Sequence, residues 1–191
     1  MRRLWREGIR QGYEVVYFRY SGLRADLHSN ADRLGAALSR FQGRRVHFIT
    51  HSYGGLIVRE LLERDQRGTE GRVVMIGTPN QGSHFAQRWC RTLPYRLIFG
   101  RGGPQLTPRG ARRLAEPALE FGIIAGTGSD INPYTVGAND GVVGVSETYL
   151  PGAREFRTID GGHEELPNDP RVVTAAYRFL ETGTFGLDPA P

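Results

Sequence analysis

The sequence contains no lysine: all 25 of its basic residues are arginine, and they are scattered among 20 acidic ones. The net charge of +5 and pI near 9.8 therefore come without the basic stripe and interleaved aromatics of a nucleic-acid binder, and no nucleic-acid partner is expected. Cys90 is the one cysteine, which excludes an internal disulfide and predicts a buried, inert thiol. No run approaches the ~18 consecutive apolar residues of a membrane span. The opening Met1-Arg2-Arg3-Leu4-Trp5-Arg6-Glu7 leads into no apolar signal-peptide core, so a cytoplasmic protein without a membrane span is expected. Hydrophobic residues are few at 39%, whereas 26 glycines and 11 prolines imply many turns and loops. A length of 191 residues suits one domain, 1–191.

Periodicity alternates along the chain. Met1 to Gln11 carries Leu4, Trp5 and Ile9 at helical spacing and stops at Gly12. Tyr13 to Tyr20 is β-branched and aromatic and reads as a strand ended by Ser21-Gly22. Asp26 to Phe41 returns apolar residues every three or four positions, predicting an amphipathic helix. Val46 to Thr50 reads as a strand, Leu56 to Leu62 as the apolar heart of a helix, and Arg72 to Ile76 as the next strand. Phe121 to Ala125 and Glu155 to Ile159 read as buried strands, and a final helix is expected from Asp169 or Arg171 to Leu180. Strands separated by helices predict an α/β fold, a mostly parallel sheet with helices on both faces. Residues 80–120 break this rhythm with Leu93-Pro94-Tyr95, Leu97-Ile98-Phe99 and a Gly-Pro-rich run, and a loop of that length is expected to be functional.

Thr50-His51-Ser52-Tyr53-Gly54-Gly55 lies where an apolar strand meets a helix. A serine on such a strained elbow needs small neighbours, and the helix N-terminus aims N–H groups at a developing oxyanion, so Ser52 is the candidate nucleophile. An ordinary N-cap serine would also fit that position. His51 should point away from Ser52 and is assigned a structural role. A serine nucleophile needs a base, and in such folds the partners follow in the order Ser, Asp or Glu, His. His163, in Asp160-Gly161-Gly162-His163 past the last strand, satisfies that order, while His28, His47, His51 and His84 follow no late strand. Asp140 lies between the last two strands and is the candidate acid, with Asp130 its stronger rival and Asp160 better suited to shaping the turn.

Together these residues resemble bacterial α/β-hydrolases of the triacylglycerol-lipase and esterase kind, including short lipase-like proteins with Thr-His-Ser-x-Gly-Gly elbows. The resemblance covers nearly the whole chain. It includes Thr50 to Gly55, Gly77-Thr78-Pro79-Asn80-Gln81-Gly82-Ser83, Asn139-Asp140-Gly141-Val142-Val143 and His163. It implies the α/β-hydrolase fold with Ser52 as nucleophile, Asp140 as acid, His163 as base and the Tyr53 N–H as one oxyanion donor. It also implies a lid over Arg91 to Pro108, within an insertion at about 80–120, where Leu97, Ile98 and Phe99 meet substrate. No cofactor is implied. Some of these lipases hold calcium with a carboxylate where Glu165 stands, but no set of oxygen ligands sufficient for a cage is recognisable here.

The family's sheet also has a strand before the first helix, ending in a His-Gly type turn that supplies a second oxyanion N–H. Met1 to Trp5 matches the helix that follows that turn, so the sheet is expected to lack this N-terminal strand. Val15 to Tyr20 should then pair directly with Val46 to Thr50, or the chain should associate through the exposed sheet edge. The predicted activity is hydrolysis of small-molecule or lipid carboxylic esters through an acyl-enzyme on Ser52. The alternative is a weak or inactive hydrolase-fold protein that binds an apolar ligand.

Overall fold

Four short runs rich in β-branched and aromatic residues become strands: β1 (Phe48–His51), β2 (Arg72–Ile76), β3 (Glu120–Gly126) and β4 (Glu155–Ile159). In the computed structural model they form one parallel sheet in the order β1-β2-β3-β4. The structure describes residues 1–64, 70–129, 134–135 and 137–187, for Ile98 the backbone only. The register pairs His51 with Ile76, Ile76 with Ile124 and Gly126 with Ile159, so the carboxyl ends of the strands share one rim.

Alternation along the strands divides the core into two. Val73 and Met75 of β2, with Phe121 and Ile123 of β3, face one side and pack with α2 (Leu27–Leu38) and α3 (Tyr53–Arg64). Val74, Ile76 and Ile124 face the other and meet Leu4 of α1 (Arg2–Arg10) and Val172, Ala176 and Phe179 of the last helix, Pro170–Thr182. Both faces are covered, as the near-continuous apolar strands require. Asp26 and Asp169 cap their helices, accepting from Ser29 N–H at 2.9 Å and Arg171 N–H at 2.7 Å. Of the apolar trio expected to anchor α1, only Leu4 is buried; Trp5 and Ile9 face solvent. Cys90 is half-buried rather than enclosed.

Tyr13 to Tyr20 does not form the expected strand. Among the described residues no backbone hydrogen bond joins it to Val46–His51, so the predicted direct pairing is not made and β1 is an edge strand. A cavity of about 700 Å³ lies between the two segments, lined by Val15, Phe18 and Tyr20 on one side and Val46, Phe48 and Ile49 on the other. Side chains hold the segment instead. Tyr13 sits edge-on to His47 and beside Tyr177, and Phe18 packs against the α2–α3 core. β-propensity describes residues that suit a sheet, but a strand exists only where ladder partners come within reach.

The long irregular region resolves into short helices: α4 (His84–Trp89), α5 (Leu93–Phe99), a 3₁₀ turn at Gly100–Leu106 and α6 (Pro108–Ala111). Two further helices complete the chain, α7 (Val145–Thr148) and α8, the Pro170–Thr182 helix. Arg59, in the apolar heart of α3 and 2% exposed, ties this region down. It donates to the carbonyls of Asn80, Leu114 and Ala115, and Asn80 in turn donates to the Thr148 carbonyl at 2.8 Å. Among the described residues no helix is long and apolar enough to cross a membrane.

Candidate active site

β1 runs into α3 through Ser52, whose φ of 54° is the one positive value at a non-glycine among the described residues. An L residue in this left-handed region costs on the order of 1–3 kcal/mol, and such strain gathers at functional sites. The turn is held on both sides: Ser52 N–H donates to the Ile76 carbonyl at 3.0 Å, and Gly55 N–H to the Ser52 carbonyl at 3.1 Å. Gly55 has a packing reason, because a Cβ there would lie 2.3 Å from Thr78 Oγ1. The Tyr53 N–H opens the first turn of α3, where helical N–H groups have no intrahelical acceptor.

Asp140 and His163 meet on the same rim. Asp140 Oδ2 lies 2.7 Å from His163 Nδ1, and both side chains are almost wholly buried. The other carboxylate oxygen accepts from the Val142 and Val143 N–H groups at 3.0 and 2.7 Å, so the carboxylate is fixed by the turn that follows it. Against a carboxylate, Nδ1 carries the proton, leaving Nε2 as the basic nitrogen. The loop is locked by His163 N–H donating to the Asp140 carbonyl at 2.9 Å. Beneath the pair passes Gly77, with φ 54°; a Cβ there would stand 3.2 Å from Asp140 Oδ2 and 3.3 Å from His163 Nδ1.

His51 has a structural place in this arrangement, against the loop that carries His163. Its Nε2 lies 2.9 Å from the His163 carbonyl oxygen, and the two rings are 4.6 Å apart. Burial, and then the neighbouring His163, push the His51 pKa down to about 4, so it is a neutral donor at neutral pH. Asp160 accepts at its carbonyl from Arg171, and the carboxylate on the His163 ring is that of Asp140. Asp130 lies outside the described residues. Glu165 closes its own loop, accepting from Gly162 N–H at 3.4 Å.

Ser52 opens onto a cavity of about 380 Å³ walled by Tyr20, Tyr53, Phe85, Phe99 and Val143, an apolar pocket with few polar groups. Of the three residues expected to meet substrate, Phe99 lines this cavity. Leu97 points out, 66% exposed, and the side chain of Ile98 lies outside the described residues. Among the described residues no hydrogen bond joins Ser52 Oγ to His163. Catalytic contacts of this kind are commonly long before substrate binds. Sequence reasoning missed Tyr20, Phe85 and Val143 as pocket walls. For Val143 the signal was its place directly after the acid's turn; for the two aromatics there was none.

Comparison with known proteins bears on this geometry. A family model described as a domain of unknown function, DUF7379, matches residues 6–94. No curated protein matches. Among solved structures, the Bacillus licheniformis lipase BlEst2 in mature form superposes with a TM-score of 0.65 at 21% identity, covering 83% of this chain and 75% of that one. The metagenomic carboxyl esterase MGS0156 gives 0.71 at 20% identity, covering 84% of this chain and 57% of that one. The fold is that of the α/β-hydrolases. An esterase from Thermogutta terrifontis shares it at 14% identity and a TM-score of 0.55, over 94% of this chain and 85% of the other. The chain spans 46% of the propeptide form of BlEst2. In this hydrolase fold the elbow, the aspartate turn and the histidine loop stand together at the carboxyl ends of the strands.

Proposed function

We propose that this chain is a serine hydrolase of carboxylic esters with apolar acyl groups. Ser52 Oγ attacks the ester carbonyl while His163 Nε2 takes its proton, and Asp140 holds the imidazole tautomer. The Tyr53 N–H donates to the oxyanion. On collapse the alcohol leaves with the proton from Nε2, and water, activated by the same nitrogen, then releases the acid from Ser52. The observation that carries this reading is the 2.7 Å Asp140–His163 bond on the rim where the strained Ser52 elbow stands. Likeness to the lipase and esterase structures supports it at the level of fold. The apolar cavity at Ser52 supports apolar acyl groups, with 1–191 acting as one unit and the 80–120 segment as its lid.

Labelling with a fluorophosphonate, followed by peptide mapping, tests the reading: modification at Ser52 that is absent from Ser52→Ala supports it. A second reading, a weak catalyst that binds an apolar ligand, is favoured by the unmade Ser52–His163 bond. An unlabelled Ser52 together with saturable binding of a fatty acid would favour that reading instead.

A further inference from the structure

An oxyanion at Ser52 needs two donors, and the Tyr53 N–H is one. Tyr20 lines the pocket onto which Ser52 opens. It lies between the two cavities, lining both the 700 Å³ opening beside β1 and the Ser52 pocket. Its ring is 5.9 Å from that of Tyr53 and covers the first turn of α3: a Cβ at Gly54 would be 3.4 Å from Tyr20 Cε1 and 3.5 Å from its hydroxyl oxygen. The hydroxyl thus lies over the start of α3, and burial pushes the phenol above its ordinary range and keeps it protonated. A protonated phenol carries one O–H donor that rotates about its C–O bond, and the ring that bears it lines the Ser52 pocket.

We propose that the Tyr20 hydroxyl is the second oxyanion donor, acting beside the Tyr53 N–H. The assignment rests on the ester-hydrolase reading above. A side-chain hydroxyl then takes the part of a second backbone N–H. Tyr20 contributes in the transition state: the hydroxyl faces charge that exists only after Ser52 has attacked. The ester carbonyl regains its double bond on collapse, and the phenol proton never leaves its oxygen.

The test uses Tyr20→Phe, which keeps the ring and removes the donor, with p-nitrophenyl butyrate as substrate. The expected result is kcat lower by on the order of 10²-fold or more with little change in KM, the signature of a contact made only in the transition state. Affinity for a trifluoromethyl ketone, which Ser52 converts to a hemiketal oxyanion, should fall in parallel. Retention of kcat within about twofold of wild type, or a rise in KM with unchanged ketone affinity, would overturn the assignment by the same logic. Ser52→Ala separates the two levels. If it leaves turnover intact, the ester-hydrolase reading fails; if it abolishes turnover while Tyr20→Phe retains it, only the Tyr20 assignment falls. A thermal melt of Tyr20→Phe matching wild type excludes loss of fold as the cause.

Discussion

The imidazole of His51 lies against that of His163 and hydrogen-bonds the His163 backbone carbonyl at 2.9 Å. The residue before Ser52 thus supports the loop that carries His163. Folded His51 binds its proton less tightly than the unfolded chain does, with a pKa of about 4 against an ordinary 6.5. The unfolded state takes up the extra proton between those values, so stability falls as pH drops from 6.5 and levels off below about 4, a loss on the order of 3 kcal/mol. His51→Phe keeps a ring in place and removes the titration. Urea midpoints from pH 7 to 4 should fall less steeply in the variant; equal slopes would mean that His51 does not carry this dependence.

Ser52→Ala, His163→Ala and Asp140→Asn should each lower kcat on an activated ester by on the order of 10³-fold or more, and combining them should cost little further, because such groups act as a unit. Asp130→Asn should leave turnover near normal. The reverse pattern, with Asp130 essential and Asp140 dispensable, would transfer the role of acid.

Phe99 and Leu97 belong to the same helix but differ in exposure, so they should respond differently. Phe99→Ser opens the pocket wall and should impair long-chain esters more than acetate esters. Leu97→Ser, at an exposed position, should change acetate and long-chain turnover little. Equal loss on both substrates for Phe99→Ser would give that side chain a structural role instead of one in the pocket.

The segment from Val15 to Tyr20 has no ladder partner among the described residues, and its amides should exchange with deuterium far faster than those of Val73 to Ile76 in the middle of the sheet. Hydrogen exchange read by mass spectrometry checks this. Protection of 15–20 that grows with protein concentration would mean that a second copy pairs with the open edge of β1.

Legibility followed how local the cause was. Arg72–Ile76 and Glu155–Ile159 match their expected bounds residue for residue, since each is a short run ended by a turn and lies beside a strand with which it pairs. Tyr13 to Tyr20 has the same composition and failed, because strand formation belongs to a pair of segments and its neighbour stands a cavity away. That Ser52, Asp140 and His163 come to one rim was readable because a parallel sheet sends every strand end, and the loop after it, to the same side. Tyr20 was not, because its place depends on how an unpaired segment falls against the start of α3. Arg59 read as one charge in an apolar helix, and nothing local announces that three carbonyls from distant loops converge on it.

The left-handed backbone at Ser52 makes the proposed nucleophile a burden on the fold that supports it. Glycine adopts φ near 54° without the steric penalty borne by an L side chain, so Ser52→Gly should melt higher than wild type, whereas Ser52→Ala keeps the strain and should not. A population of this protein selected for heat resistance alone, with no demand on turnover, would drift towards glycine at position 52. The residue that defines the chemistry is the one that thermal selection by itself would remove.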